Sequence, residues 1–343
     1  MTADRRGRLR RAGAGAAVVA LLLSGCGLGG PIDASDIPVA PGEPGDTVLR
    51  LAHAYDVSHP VEQCGTPLIQ QELLGSGITV ESYPSAQLGT EAESLEQVAA
   101  GGLDLTVAGP SFLGVWYEPA AVLDGAYLFD DVGEFVAAVE GPVVARVHEE
   151  FRERSGMRVL SSWYYGTRHI TADRPVERPE DLAGVKIRTP DAPLYLTNFG
   201  IMGGAATPMA LGEVYLALQQ GTLDAQENPV PTISSSGFHE VQDHLNLTGH
   251  IVQGVHLITN DELNSALEPE QRDRLDAAAA AAGEAIRECI LAEETGIVEQ
   301  WRAEGTLTVH DVDIAPFADR VRAELPGRVS WGAVYEEIRE SVR

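Results

Sequence analysis

Apolar and polar positions alternate along the chain between strand-like runs and helix-compatible stretches. The run Thr47–Ala52 predicts a strand, and similar runs occur at residues 78–83 and 103–108. Helix-compatible segments lie between them, at residues 59–74 and 92–99. This alternation of strand and helix predicts an α/β fold in which helices cover both faces of a sheet.

The same alternation restarts after Gly156. Strands are predicted at residues 158–161 and 185–188, and a helix is predicted at residues 212–220. Two successive α/β units with no sequence repeat between them predict two lobes. Ligands of open α/β sheets bind beyond the carboxyl ends of the strands, so the expected site is the cleft between the lobes.

A long helix is predicted between Pro269 and Trp301. Proline suits an early helical position, and the unbroken alanine run at residues 277–282 strongly favours a helix. Gly283 and Gly296 are the weak points of this helix, at which it could bend. A helix of this length can run across both lobes.

The N-terminal 25 residues have the pattern of an export signal. Five arginines precede an apolar run at residues 12–23 that is too short to span a bilayer. The run ends at Leu23-Ser24-Gly25-Cys26, which resembles a bacterial lipobox and predicts lipidation of Cys26 after cleavage. A plain secretory signal with an incidental cysteine is the alternative. Residues 26–46, rich in proline and glycine, are predicted to form a flexible tether.

The charge of the chain narrows the classes of partner. It carries 51 acidic and 24 basic residues, which gives a formal net charge of -27. Nucleic acid is not an expected partner, because binding to phosphates needs a basic surface. An anionic membrane surface would also repel the protein, so the lipid on Cys26 is the expected membrane attachment.

Two further cysteines, Cys64 and Cys289, lie far apart in the sequence. Export permits a disulfide, but the sequence does not show whether their Cβ atoms come within reach. A disulfide and two buried free thiols therefore remain alternatives. Neither cysteine belongs to a CxxC motif, so redox or zinc chemistry is not indicated.

Motifs of catalysis and metal binding are weak. The sequence contains no GxSxG or GxxxxGK motif, and no GxGxxG follows a predicted strand. His239 and His244 approximate an HExxH motif, but they are five residues apart and would diverge by about 140° on a helix. His53 and His59 lack a nearby third ligand. We therefore predict neither an enzyme nor a metal or cofactor site, and keep both as alternative classes.

Two arginines and an asparagine form the pattern that points to function. Arg188 is predicted at the C-terminal end of a strand, where its side chain opens into the cleft. Arg168 follows Gly166-Thr167 in a predicted turn, and Pro229 holds Asn228 in an extended conformation. Together they offer the donors that a carboxylate with a neighbouring hydroxyl requires. For each arginine taken alone, a surface salt bridge is the alternative.

An ordered set of motifs supports this interpretation. In chain order they are Tyr83-Pro84-Ser85-Ala86-Gln87-Leu88-Gly89, Gly102-Leu103-Asp104, Gly166-Thr167-Arg168, Pro179-Glu180-Asp181-Leu182, Lys186-Ile187-Arg188, Thr207-Pro208-Met209-Ala210, Glu213-Val214-Tyr215, Gln226-Glu227-Asn228-Pro229 and His250. From Val48 onward the chain resembles the solute-binding proteins of tripartite ATP-independent periplasmic (TRAP) transporters, the DctP family.

The resemblance implies a two-lobed α/β fold in which two open sheets are joined by crossing strands and a long bent helix. Lobe I is expected to comprise residues 47–165 plus 254–293, and lobe II residues 166–253 plus 294–343. The implied function is capture of a small organic acid in the cleft outside the cytoplasm and its delivery to TRAP permease subunits. Catalysis and a cofactor are not implied.

The resemblance also assigns roles to residues. Arg188 is expected to form a bidentate pair with the ligand carboxylate, with Arg168 and Asn228 as supporting donors. His53 lies where members of the family present a polar group to the ligand, and Glu91 lies where an acidic or polar residue often reaches sugar hydroxyls. Because these groups come from both lobes, we expect the cleft to close over the ligand.

Two more residues, Asp191 and His250, are candidates for the cleft. The alternative for Asp191 is a helix cap, and the alternative for His250 is a buried, hydrogen-bonded histidine.

The identity of the acid is constrained by one departure from the family pattern. Sialate-binding members place a glutamate after the strand that ends here at Ala108, whereas this chain has Gly109-Pro110. Sialic acid is therefore disfavoured. A sugar acid such as a uronate or an aldonate is the first expectation, and a four-carbon dicarboxylate or a 2-oxo acid is the second.

Overall fold

The computed structural model describes residues 46–343, which contain nine strands and twelve α-helices. The strands are β1 Thr47–Ala52, β2 Ile78–Tyr83, β3 Leu105–Ala108, β4 Met157–Ala172, β5 Lys186–Thr189, β6 Ala205–Pro208, β7 Ala225–Pro229, β8 His244–Asn260 and β9 Thr308–Asp311. The α-helices are α1 Thr66–Glu72, α2 Glu91–Ala99, α3 Pro110–Leu113, α4 Val132–Val139, α5 Pro142–Ser155, α6 Pro193–Met202, α7 Val214–Gln219, α8 Val230–Ser235, α9 Asp261–Ala266, α10 Pro269–Glu304, α11 Ala315–Glu324 and α12 Gly332–Ser341. Shorter elements are a π-helical turn at Val61–Gly65 and 3-10 turns at Glu118–Asp124, Pro179–Leu182, Leu211–Glu213, Phe238–Glu240 and Leu325–Gly327.

The strands pair in the order β2-β1-β3-β8-β4-β7-β5-β6, with β9 on β8. One half contains the parallel strands β1, β2 and β3, and the other contains the parallel strands β5, β6 and β7. Between them, β8 runs antiparallel to β3 and β4, and β4 runs antiparallel to β7. The two expected sheets are therefore the halves of one sheet, and β4 and β8 are the expected crossing strands.

The length of β4 corrects two local predictions. The strand expected at residues 158–161 continues to Ala172, and the turn predicted at Gly166-Thr167-Arg168 lies inside it. Gly166 has a φ of 125°, and a Cβ there would lie 2.6 Å from the Cβ of Pro229. The glycine thus marks a bulge, at a shift in the pairing between Tyr164 and Gly166, and not a reversal of the chain.

The long helix was predicted correctly, and α10 runs without interruption from Pro269 to Glu304. Thirty-six residues span about 54 Å, which is long enough to contact elements of both halves of the sheet. Gly283 permits close packing, because a Cβ there would lie 2.5 Å from Cδ1 of Trp163. The indole of Trp163 donates to the carbonyl oxygen of Ala279 at 2.9 Å, which fixes α10 against β4.

Buried apolar residues of the described chain form a large cluster and a smaller one. The large cluster includes Leu49 and Leu51 of β1 together with Trp163 of β4 and Ile286 of α10. The smaller cluster lies around α7, α8 and the C-terminal end of α10, and includes Trp301. The core therefore continues along β4 and α10 beneath the cleft.

Part of the predicted lobe boundary coincides with structural features. The boundary between residues 165 and 166 falls at the bulge in β4. The last helix, assigned to lobe II, contacts residues assigned to lobe I: the Tyr335 hydroxyl donates to the carbonyl oxygen of Ala126 at 3.0 Å, and Arg339 donates to that of Leu128 at 3.1 Å. The division of the chain into lobes remains a prediction.

The predicted signal, Cys26 and most of the tether lie outside the described residues. Among the helices at residues 46–343, none has the length and apolar character needed to cross a bilayer.

A disulfide joins Cys64, in the π-helical turn, to Cys289 on α10, with the Cα atoms 6.8 Å apart. This decides between the two alternatives left by the sequence. The bond connects residues 225 positions apart, so it restricts the unfolded chain strongly.

We expect the Cys64→Ser/Cys289→Ser double variant to lose about 2–5 kcal/mol of unfolding free energy, because the long loop is no longer closed in the unfolded state. Urea denaturation of the two proteins measures the difference. Wild-type protein in excess reductant is the matched control and should resemble the double variant. Identical denaturation midpoints for all three samples would contradict a stabilising disulfide.

Candidate ligand-binding site

Arg188 lies near the C-terminal end of β5, as predicted, and only 3% of its surface is exposed. Its Nε and Nη2 donate to the carbonyl oxygen of Met209 at 2.9 and 2.6 Å. Its Nη1 is buried and has no hydrogen-bond partner within residues 46–343. An unpaired buried donor is costly, so Nη1 is the position where an acceptor from a ligand is expected.

The charge of Arg188 is not neutralised by a salt bridge within the described chain. Burial lowers the pKa of its guanidinium from 12.5 to about 10, and the charge of Arg168 acts in the same direction. The side chain still carries its proton at neutral pH. An anion placed beside it would therefore relieve the cost of burying this charge.

Arg188 lines two neighbouring pockets in the cleft, which we call the wide and the narrow part of the ligand cavity. The wide part has a volume of about 100 Å³, and its polar lining includes Thr90, Glu91 and Asp191. The narrow part, of about 20 Å³, is lined mainly by Tyr55, Tyr165, Arg168, Tyr195, Asn228 and Gln253. The two parts share Glu91, Phe112, Arg188 and Leu211. The guanidinium of Arg188 is thus available to both.

Arg168 is buried in the wall of the narrow part, and its charge is compensated inside the protein. Its Nε and Nη2 donate to the carboxylate of Glu227, and its Nη1 donates to Oε1 of Gln253 at 2.6 Å. Burial alone would raise the pKa of Glu227, but the charge of Arg168 and a hydrogen bond from His250 keep it below its ordinary value. The pair is therefore ionised, and Arg168 adds a donor but little net charge.

Asn228 has the extended conformation predicted for it, because it lies in β7 immediately before Pro229. Its Oδ1 accepts from Nη2 of Arg168 at 3.1 Å, and its Nδ2 donates to Oε1 of Gln226 at 2.7 Å. The structure thus brings Arg168, Arg188 and Asn228 to the same cavity.

His250 is completely buried behind this wall and lies outside the lining of both parts of the cavity. Its Nε2 lies 3.0 Å from Oε2 of Glu227, and its Nδ1 lies 2.8 Å from the hydroxyl of Thr248. Burial lowers the pKa of His250 despite the nearby carboxylate. This placement favours the alternative of a buried, hydrogen-bonded histidine that orients Glu227.

Glu91 is the first residue of α2, on the other half of the molecule, and lines both parts of the cavity. Its Oε1 accepts from the backbone N–H of Gly109 at 2.8 Å and from the hydroxyl of Tyr55 at 3.2 Å. Burial raises the pKa of Glu91 to about 7, although both hydrogen bonds and the charge of Arg188 act in the opposite direction. Glu91 and Arg188 therefore face one cavity from opposite halves of the molecule, and Glu91 is only partly ionised at neutral pH.

His53 is buried just after β1, but it lies outside the lining of both parts of the cavity. Its Nε2 lies 3.0 Å from Oε2 of Glu62, whose carboxylate also accepts from Thr66 and Ser82. The imidazole stacks on Tyr55 with the ring centroids 5.7 Å apart. His53 thus adjoins the cavity through Tyr55.

Asp191 is exposed and lines the wide part of the cavity. The N-cap position of α6 is Ala192, so the structure does not support the alternative of a helix cap at Asp191.

Several lining residues were not found from the sequence. Gln253 donates from Nε2 to the hydroxyl of Tyr195 at 2.8 Å and to Oδ1 of Asp124 at 3.0 Å. Tyr55, two residues after His53, could have been found from its position beyond the end of β1. No motif marks Gln253, because only the pairing of β8 with β4 brings it beside Arg168.

These features define a two-lobed α/β binding protein with a guanidinium in its cleft. A model of the DctP family, described as bacterial extracellular solute-binding protein, family 7, matches residues 68–326. The chain therefore belongs to this family, as the sequence motifs indicated. Members are TRAP transporter proteins that bind small organic acids outside the cytoplasm and work with a membrane permease, without catalysis.

Individual relatives agree with this assignment. The sialic acid-binding periplasmic protein SiaP of Vibrio cholerae is 33% identical over 252 residues, which cover 74% of this chain and 78% of SiaP. A TRAP periplasmic solute-binding protein from Roseobacter denitrificans with bound L-galactonate superposes with a TM-score of 0.79 at 29% identity, covering 85% of this chain and 98% of the other. A TRAP periplasmic solute-binding protein from Ochrobacterium anthropi with bound L-fuconate superposes with a TM-score of 0.82 at 26% identity. The match covers 87% of this chain and 100% of the other.

The environment of Glu91 predicts a pH dependence of stability. The pKa of Glu91 is about 7 in the folded state and about 4.3 in the unfolded state. The contribution of Glu91 to the unfolding free energy is therefore fully present below about pH 4.3 and is lost as the pH rises through about 7. Relative to Glu91→Gln, we expect wild type to lose about 1–3 kcal/mol of unfolding free energy between pH 4 and 8. Urea denaturation across this range measures it.

Glu96→Gln, at an exposed position of the same helix, is the control and should follow wild type. Parallel profiles for wild type and Glu91→Gln would contradict the raised pKa.

Proposed function

We propose that the solute is a hydroxylated monocarboxylic acid, such as an aldonate or a uronate. The observation that carries this proposal is the buried, unpaired Nη1 of Arg188 in a cavity that also contains Glu91 and Asp191. The ligand carboxylate binds Arg188, supported by Arg168 and Asn228. The hydroxyl groups donate to the acidic side chains at the wide part.

The charges around the cavity favour a ligand with one carboxylate over a ligand with two. Arg168 is paired with Glu227, so Arg188 is the cation that a ligand anion would neutralise. A second carboxylate at the wide part would approach Asp191 and the partly ionised Glu91 and be repelled. A four-carbon dicarboxylate or a 2-oxo acid therefore remains the second candidate.

Size and similarity support the same class. The wide part, of about 100 Å³, is small, which favours a small acid over a nine-carbon sialate. The solved relatives from Roseobacter denitrificans and Ochrobacterium anthropi contain the six-carbon acids L-galactonate and L-fuconate. Gly109 supplies a backbone donor to Glu91 at the position where sialate-binding members have a glutamate.

The ligand couples the two lobes. Arg188 and Asn228 belong to the half that contains β5 and β7, whereas Glu91 and Tyr55 belong to the half that contains β1. A ligand held from both sides favours the closed arrangement, and closure excludes water and strengthens the guanidinium–carboxylate pair.

We expect L-galactonate, L-fuconate or D-glucuronate to raise the melting temperature, and succinate and sialic acid to have smaller effects. A ligand at 100 times its dissociation constant adds about 2.7 kcal/mol of stability. Calorimetry of the best ligand should then show a loss of about 2–5 kcal/mol in Arg188→Ala, because the buried ion pair is removed. Arg188→Lys should also bind poorly, since an ammonium lacks the planar fork.

Arg178→Ala, at an exposed arginine of the same half, is the control and should bind normally. Unchanged affinity in Arg188→Ala would show that this residue does not bind the ligand carboxylate. Stabilisation by succinate alone would show that the ligand is a dicarboxylate and not a sugar acid.

We also propose that Cys26 carries a lipid that anchors the protein to the outer side of the cell membrane. The lipobox-like sequence and the extracytoplasmic location of the family support this attachment. Cells expressing the full chain should incorporate a labelled fatty acid into the protein, and Cys26→Ser should not. Labelling of Cys26→Ser equal to wild type would disprove lipidation at this cysteine.

A further inference from the structure

A second pocket lies between the same halves of the molecule, separate from the cavity at Arg188. Its volume is about 270 Å³, against about 100 Å³ for the wide part of the ligand cavity. Its walls come from α3 and the following 3-10 turn, from α6, and from the segment that precedes α12. We call it the α3–α6 pocket.

The α3–α6 pocket and the ligand cavity share two walls. On α3, Ser111 lines the pocket and the next residue, Phe112, lines the ligand cavity. On α6, Leu194 lines the pocket and Tyr195 lines the narrow part of the cavity. The two spaces thus share these two helices as walls.

Ser111 connects the pocket wall to a buried carboxylate. The residue is only 1% exposed, and its hydroxyl is buried beneath the pocket surface. Its backbone N–H donates to Oδ2 of Asp124 at 2.8 Å, and its hydroxyl also acts on this carboxylate, opposing the rise that burial causes in the pKa of Asp124. Ser111 therefore links the wall of the pocket to the network behind the ligand cavity.

Charged groups of both signs lie in the lining. Arg328 is exposed and donates from Nη2 to Glu324 at 2.6 Å, which engages one of its three nitrogens. The carboxylate of Glu118 accepts from the hydroxyl of Ser330. Leu194 and Trp331 add buried apolar surface. The lining therefore offers a cation, an anion and an apolar wall.

We propose that the α3–α6 pocket binds a small zwitterion with the size and chemistry of an amino acid or a betaine. Its carboxylate binds the guanidinium of Arg328, its cationic group binds Glu118, and its apolar body packs on Leu194 and Trp331. A neutral pair of charges in the lining matches a ligand of zero net charge better than it matches the acids proposed for the Arg188 cavity.

Binding at this pocket affects the arrangement of the lobes. Ser111 and Glu118 come from one half and Leu194 comes from the other, so an occupant contacts both. A chain of hydrogen bonds also runs from Ser111 through Asp124 and Gln253 to Arg168. A zwitterion in the pocket would thus favour the same arrangement that the solute favours.

Titration calorimetry with L-leucine, L-proline and glycine betaine tests the proposal without knowledge of the transported solute. We expect at least one of them to bind, and 4-methylpentanoate and isoamylamine, which each carry one of the two charges, to bind at least about tenfold more weakly. Arg328→Ala should weaken binding of the zwitterion by at least about tenfold.

Arg320→Ala is the matched control, because Arg320 also pairs with Glu324 but does not line the pocket. It should bind the zwitterion as wild type does.

Two results would overturn the proposal. The first is no heat of binding for any of the three zwitterions at about 10 mM, where even millimolar sites are occupied. The second is a zwitterion that binds Arg328→Ala normally but not Arg188→Ala, which would assign it to the ligand cavity. The first result does not bear on whether a sugar acid binds at Arg188, whereas the second would also contradict the ligand class proposed for that cavity.

Discussion

The burial of an uncompensated guanidinium at Arg188 is the constraint on which the site depends. The carbonyl oxygen of Met209 fixes its orientation from one side, and Nη1 has no partner in the part of the chain that the structure describes. Arg168, only two strands away in the sheet, is equally buried but is paired with Glu227. This difference gives the two arginines different tasks: one supplies charge for an anion, and the other supplies a rigid donor wall.

The crossing strands connect this constraint to the fold. β4 carries Arg168, β8 carries His250 and Gln253, and their pairing assembles the hydrogen-bonded wall behind the narrow part of the cavity. The same strands join the two parallel halves of the sheet, and α10 packs along β4. Because this wall is built on the connection between the halves, the proposed closure would leave it in place. The residues on β5 and α2 lie farther out and can approach across the cleft.

Like the ligand cavity, the α3–α6 pocket is lined by residues from both halves of the molecule, and it shares α3 and α6 with that cavity. Neighbouring residues on α3, Ser111 and Phe112, belong to different spaces, so a shift of this helix would alter both. The disulfide between Cys64 and Cys289 stabilises a separate part of the first half, where the π-helical turn contacts α10. The molecule thus combines a covalently fixed support with two spaces that depend on the approach of its halves.

The sequence by itself determined the α/β class, the long helix and the residue types at the site, because these depend on local periodicity, helix propensity and motifs. It placed Arg188 and Asn228 correctly at strand ends for the same reason. It could not determine that Gly166 lies in a bulge, that Cys64 meets Cys289, or that Gln253 completes the wall. Those features depend on strand register and on contacts between residues about 60 to 225 positions apart in the chain. Only the tertiary structure decided that Arg168 is neutralised while Arg188 is not, because the pairing of a charge depends on which distant groups the fold brings beside it.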